Sequence, residues 1–147
     1  MKILTVAIGS LILACGAIAE SKVKMEDLPP AVQKAAREQS KNATLVGLSK
    51  EVEGRKPVYE VETKVNGKTR DLLLDQSGAI VEIEEEVDLN SLPAAAREAI
   101  QQKLAGRKLK KVESVTKGST VTYEASYVGK LGKTSEIAVN ADGTAHK

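Results

Sequence analysis

Glu60 and Glu62 lie two residues apart in one stretch, and Glu124 lies in a second stretch of similar pattern. Two carboxylates whose surroundings push their pKa values apart can share acid and base work, so any proton chemistry would begin here. Glutamates spaced by two also share one face of a strand, and such a face is normally just solvated. The single histidine, His146, adjoins the C-terminus, and the single cysteine, Cys15, sits in an apolar N-terminal run. Without a second histidine or a later cysteine, thiol nucleophiles, Ser-His-Asp triads and zinc sites lack their parts. The expectation is a protein that is not an enzyme, with no cofactor and no metal.

Two charged runs invite other chemistry. Acidic Glu82–Asp88 offers oxygen ligands suited to calcium. The stretch from Leu73 to Glu84 imitates an EF-hand loop in part, with Asp75, Ser77, Gly78, Ile80 and Glu84 at the third, fifth, sixth, eighth and twelfth places. Leu73 occupies the first place, which needs an oxygen, so the acidic run is expected to be a solubilising linker. Basic Gly106–Lys111 carries Arg107, Lys108, Lys110 and Lys111, a cluster that can neutralise phosphates. Tyr59, Tyr123 and Tyr127 are the only aromatics, too few for base stacking, and an exported chain meets no nucleic acid. This run reads as a basic edge strand that discourages sheet-to-sheet aggregation. Contact with an acidic partner and pairing with the acidic run remain as alternatives. Gly67-Lys68-Thr69 and Gly132-Lys133-Thr134 lack the surrounding pattern of a phosphate loop. If the protein binds something, the candidate positions are Glu60, Glu62, Lys64, Glu124 and Ser126 on open strand faces, with Arg107, Lys108, Lys110 and Lys111.

The residues that must position these groups start after an export signal. Lys2 is followed by an apolar run from Ile3, and Ala17-Ile18-Ala19 places small residues where a signal peptidase cuts. The run is shorter than the roughly 20 residues of a membrane span. Residues 1–19 are therefore read as a signal peptide, and the location as periplasmic or secreted. Ile12-Leu13-Ala14-Cys15 resembles a lipoprotein box, so a lipid anchor through Cys15 is the alternative. From 20 to 88 there are 11 Lys/Arg against 15 Asp/Glu, a net −4. From 89 to 147 there are 10 against 5, a net +5. Such asymmetry between halves marks an interaction surface or a contact between the halves.

Shifted by 64, the sequence aligns on itself. Leu28-Pro29 falls on Leu92-Pro93, Leu45 on Leu109, and Tyr59-Glu60 on Tyr123-Glu124. After one inserted residue, Gly67-Lys68-Thr69 falls on Gly132-Lys133-Thr134 and Gly78 on Gly143. The reading is two tandem modules, 20–88 with its acidic linker and 89–147. In each, a proline opens a helix, with Asp27 and Ser91 as candidate caps and narrow apolar stripes at Val32, Ala35, Ala36 and at Ala96, Ala99, Ile100, Leu104. Period-two strands follow, with Tyr59, Val61 and Thr63 on one face and Glu60, Glu62 and Lys64 on the other. Asn66-Gly67 signals a tight hairpin. The expected class is α+β, two α-β-β-β(-β) modules, each an antiparallel sheet with a helix on one face.

Tyr59-Glu60-Val61, Asn66-Gly67, Leu72-Leu73-Leu74-Asp75 and Gly78-Ala79-Ile80-Val81 together resemble the PepSY-like family. These are bacterial envelope domains related in fold to beta-lactamase inhibitory proteins. The second copy departs at Ala125 and Asn140, which stand for Val61 and Asp75. The resemblance implies a non-enzymatic binding protein, inhibitory or regulatory towards an envelope or extracellular protein. A small-ligand or cation carrier is the alternative.

Overall fold

The structure is a computed structural model and describes residues 21–146. The signal peptide and Cys15 lie outside the described residues. Strand β1 (Ser21–Lys22) precedes helix α1 (Pro30–Gln39), and β2 (Thr44–Glu53), β3 (Lys56–Val65), β4 (Lys68–Asp75) and β5 (Ile80–Glu86) follow. Helix α2 (Ala94–Leu104) then leads into β6 (Leu109–Lys117), β7 (Thr120–Val128) and β8 (Thr134–Asn140). All eight strands form one antiparallel sheet in chain order.

Local chemistry explains most of these elements. Asn66 and Gly67 both take positive φ, 52° and 83°, as a two-residue hairpin between twisted strands requires. Helix α2 stops where Ala105 turns left-handed at φ 48°, with its N–H donated to the Gln101 carbonyl. The expected caps are not used. The Asp27 carboxylate accepts the Lys24 N–H within a 3₁₀ turn, and the Ser91 hydroxyl donates to the Asp88 carbonyl. Both helices instead start directly after a proline.

Two expectations are corrected. The acidic run is most of β5, not a linker, because Ile83 alternates with Glu82 and Glu84 and packs into the core beside α1. The basic run is no edge strand either. Lys110 and Lys111 belong to β6, which is held between β5 and β7, while Arg107 and Lys108 precede it. The β5–β6 register, from Ile83↔Thr116 to Glu86↔Glu113, joins the strands of both halves in one sheet, a point the sequence left open.

That register also sets the faces. Val61, Leu72, Ile83 and Thr116 stand in one row across four strands. By the two-residue period Val112 shares the face of Thr116. Val61 and Leu72 pack with Leu28, Val32 and Ala36 of the first helical segment. Val112 packs with Ala96, Ile100, Ala125 and Val139 around the second. Both helices thus cover the same face. Every member of the two cores lies between Val23 and Val139, so a chain beginning at residue 20 keeps both.

The turn after each aliphatic strand meets its helix in the same way. At Gly78 (φ 81°) a Cβ would come within 2.6 Å of the Ala31 carbonyl oxygen. At Gly143 (φ 82°) it would come within 2.6 Å of the Ala95 carbonyl oxygen. Only glycine fits such an approach at positive φ.

Candidate functional site: an acidic sheet face

The face turned away from both helices is built by the alternate residues of the same strands. One row runs Glu62, Asp71, Glu84, Val115, Thr122 across β3 to β7, and beside it runs Glu86, Glu113, Glu124 across β5 to β7. A third runs Ser49, Glu60, Leu73, Glu82 across β2 to β5. The first half of the chain is acidic because these strands carry carboxylates on this face. The expectation that the face is freely solvated is corrected. Glu82, Glu84, Glu113 and Ser126 are 2 %, 6 %, 8 % and 4 % exposed, although none points at a helix. An eight-stranded twisted sheet curls, and its long side chains then shield one another. Consistent with that curl, Lys117 of β6 feels the charge of Glu53 at the end of β2.

Burial decides the electrostatics. Loss of solvent pushes the Glu60 carboxyl up to about 7, opposed by the Ser49 hydroxyl donating to it at 3.0 Å and assisted by the charge of Glu62. Loss of solvent likewise pushes Asp71 up to about 6, against the Thr63 N–H donated at 3.2 Å and the charge of Lys111. Oxygens of Asp71, Glu84 and Glu113 lie within 4.8 Å of one another. The Lys111 ammonium answers this cluster, 2.6 Å from Glu113 Oε1. The contact is an ion pair and not an aligned hydrogen bond, since that oxygen accepts none. Burial pulls the Lys111 pKa down, but Glu113, Asp71 and Glu84 together raise it above the ordinary lysine value. The Lys117 ammonium donates to the buried Glu82 carboxylate at 2.9 Å, an ion pair that is also a hydrogen bond.

The candidate positions divide. Glu60, Glu62, Lys64, Glu124, Ser126 and Lys111 share this face. Ser126 is enclosed, with a hydroxyl that has no hydrogen-bond partner among the described residues. Arg107 is elsewhere: its guanidinium donates to the Leu104 and Lys103 carbonyls at 2.9 and 2.7 Å and lies 4.8 Å over the Tyr127 ring. It ends α2. Lys110 donates to the Thr134 hydroxyl at 2.7 Å, away from the acidic cluster. Asp75 holds a turn, accepting from the Ser77 N–H and hydroxyl and the Ala79 N–H, which disposes of the EF-hand likeness. Sequence reasoning did not single out Asp71, Glu113 or Lys117, and it took Glu82 and Glu84 as members of an acidic run. Their alternation was visible, but only the register brings them together.

The cluster can hold and exchange protons and can attract cations. His146 is exposed, with Nδ1 3.1 Å from Asn140 Oδ1. No helix among the described residues is long and apolar enough to cross a membrane.

No family model matches the sequence, and no curated protein does. Solved structures are similar in fold. A Bacteroides eggerthii protein described as periplasmic superposes with TM-score 0.64 at 17 % identity, covering 82 % of this chain and 86 % of its own. A DUF2874 family protein from Bacteroides uniformis gives TM-score 0.62 at 16 % identity, covering 81 % and 86 %. A BLIP-like protein from Bacteroides fragilis gives TM-score 0.57 at 18 % identity, covering 82 % and 84 %. At such identities the likeness is one of fold: an α+β architecture with a BLIP-like open antiparallel sheet.

Proposed function

We propose that this is an exported, non-enzymatic binding protein whose acidic sheet face docks a basic surface of an envelope protein. The observation that carries the reading is a face free of both helices on which Glu60, Glu62, Asp71, Glu82, Glu84, Glu86, Glu113 and Glu124 outnumber Lys64, Lys111 and Lys117. Complementary charge gives such a face a fast encounter and a choice of partner. Inhibition or regulation of that partner follows from the BLIP-like fold by analogy alone. Export rests on residues 1–19 and on solved neighbours described as periplasmic, with the lipoprotein box at Cys15 as the anchored alternative. We read the two helix-then-strands units as a duplication, supported by the matching glycine contacts at Ala31 and Ala95.

The test is capture from an envelope extract with residues 20–147 as bait. A single protein retained by the native chain and lost with Glu62→Lys plus Glu124→Lys is the expected result. Equal capture by both baits would end the reading, provided circular dichroism shows the variant folded.

The spacing of Asp71, Glu84 and Glu113 favours a second reading, a carrier for a divalent cation that displaces Lys111. Calcium or manganese would then raise the melting temperature of the native chain and not of Glu84→Gln. No shift at millimolar metal would remove it.

A further inference from the structure

The connection between β7 and β8 presents an apolar side chain in an unusual way. Leu131 is 95 % exposed and left-handed at φ 57°, ψ 24°. A leucine pays for that conformation, which glycine or asparagine adopts freely. The loop is nevertheless held: the Gly129 N–H donates to the Lys133 carbonyl at 2.7 Å and the Lys133 N–H to the Lys130 carbonyl at 3.2 Å. Lysines surround it. Lys130 and Lys133 flank Leu131 in the loop and both are exposed. The Lys110 ammonium reaches the Thr134 hydroxyl at the start of β8. The Val128 N–H donates to the Lys108 carbonyl at 2.9 Å, which brings exposed Lys108 to the same end of the sheet. Neither 105–112 nor 125–135 contains an Asp or Glu.

We propose that this tip is a peripheral membrane-docking surface, with Leu131 entering an anionic bilayer while Lys108, Lys110, Lys130 and Lys133 lie over its headgroups. The charge pattern selects the occupant. Juxtamembrane lysines are drawn to an anionic leaflet without fixed pairing geometry, and an inserted apolar side chain adds affinity without a shaped pocket. A protein partner would instead have to supply a cavity for one leucine and carboxylates placed for four lysines. The tip needs no lipid on Cys15, and it uses none of the carboxylates that make up the acidic face. The docking surface therefore stands or falls independently of the proposed partner.

The chain contains no tryptophan, so Leu131→Trp in residues 20–147 is a sole reporter of this position. With vesicles of phosphatidylcholine and one third phosphatidylglycerol, its emission is expected to move to the blue, and with phosphatidylcholine alone to stay put. Sedimentation with the anionic vesicles is expected to weaken at least about tenfold for Lys130→Glu plus Lys133→Glu, and severalfold for Leu131→Ala. Circular dichroism of each variant guards against misfolding. An unmoved emission overturns the proposal. So does equal movement with neutral vesicles, or affinity that ignores the charge reversals. Loss of protein capture from an envelope extract with Leu131→Asp, in a chain that does not bind vesicles, would make the tip a protein contact instead.

Discussion

At the scale of single residues, the buried carboxyls set a pH dependence whose sign is unusual. The folded pKa of Glu60, about 7, lies above its ordinary value of 4.5, so the folded state holds a proton that the unfolded chain releases. That stability is present in full below pH 4.5 and is lost as pH rises through about 7. Asp71, raised to about 6, acts in the same direction. Urea titrations are expected to show a less stable protein at pH 8 than at pH 5. Glu60→Gln should remove about 2 kcal/mol of that difference, after allowance for solvent screening of a half-buried group. A pH profile unchanged by Glu60→Gln would show that the group is solvated after all. Lys111 supplies the opposite kind of test. Removing the cation from among Asp71, Glu84 and Glu113 leaves carboxylates facing one another, and Lys111→Ala should cost about 2 kcal/mol at pH 8 and less at pH 5, by the same titrations. Arg107 was chosen from sequence as a binding residue, yet its bonds to the α2 carbonyls and its place over Tyr127 assign it to the helix end. Arg107→Ala should lower stability by about 1–2 kcal/mol, measured by chemical denaturation.

At the scale of elements, the two glycine turns lock strands to helices. Gly78→Ala and Gly143→Ala each combine positive φ with a carbonyl 2.6 Å from the new methyl, and each should cost about 2–3 kcal/mol. Gly67→Ala meets nothing within 4 Å and should cost only about 1 kcal/mol of backbone strain. Melting temperatures of the three variants compare the two effects directly, and equal losses would mean that the helix contact is irrelevant. Most elements were legible from local pattern. Tyr59, Val61 and Thr63 alternate with Glu60, Glu62 and Lys64, and burial of the first set follows the alternation. The turn at Ser77-Gly78 predicts a strand over Ala79–Glu84, and only the acidic run from Glu82 was misread as a linker, because clustered glutamates look like a solvated run. The pairing of β5 with β4 follows from that turn, whereas its pairing with β6, a partner some thirty residues away, is not revealed by local periodicity.

At the scale of the whole molecule, β5 joins the two cores. Ile83 packs beside α1, while Val87, just beyond the strand, packs beside α2 and donates its N–H to the Val112 carbonyl at 2.9 Å. The two cores are therefore expected to unfold together. Calorimetry of residues 20–147 should give one transition with matching calorimetric and van't Hoff enthalpies. Leu72→Ala, at a fully buried site near α1, should lose about 3 kcal/mol and still melt once. Two separated transitions in that variant would show halves that are stable alone.

Composition and spacing alone determined an aliphatic protein that cannot use thiol chemistry beyond residue 15, with a helix-and-strands pattern and the faces of the strands around Tyr59 and Tyr123. These follow from residue type and from periods of two or 3.6, which are properties of neighbours in the chain. Only the tertiary structure decided that one sheet runs through both halves, that Asp71, Glu84 and Glu113 meet around Lys111, and that Leu131 stands out among lysines. Strand register and sheet curl depend on which distant strands pair. A carboxylate's proton affinity depends on the water those pairings exclude.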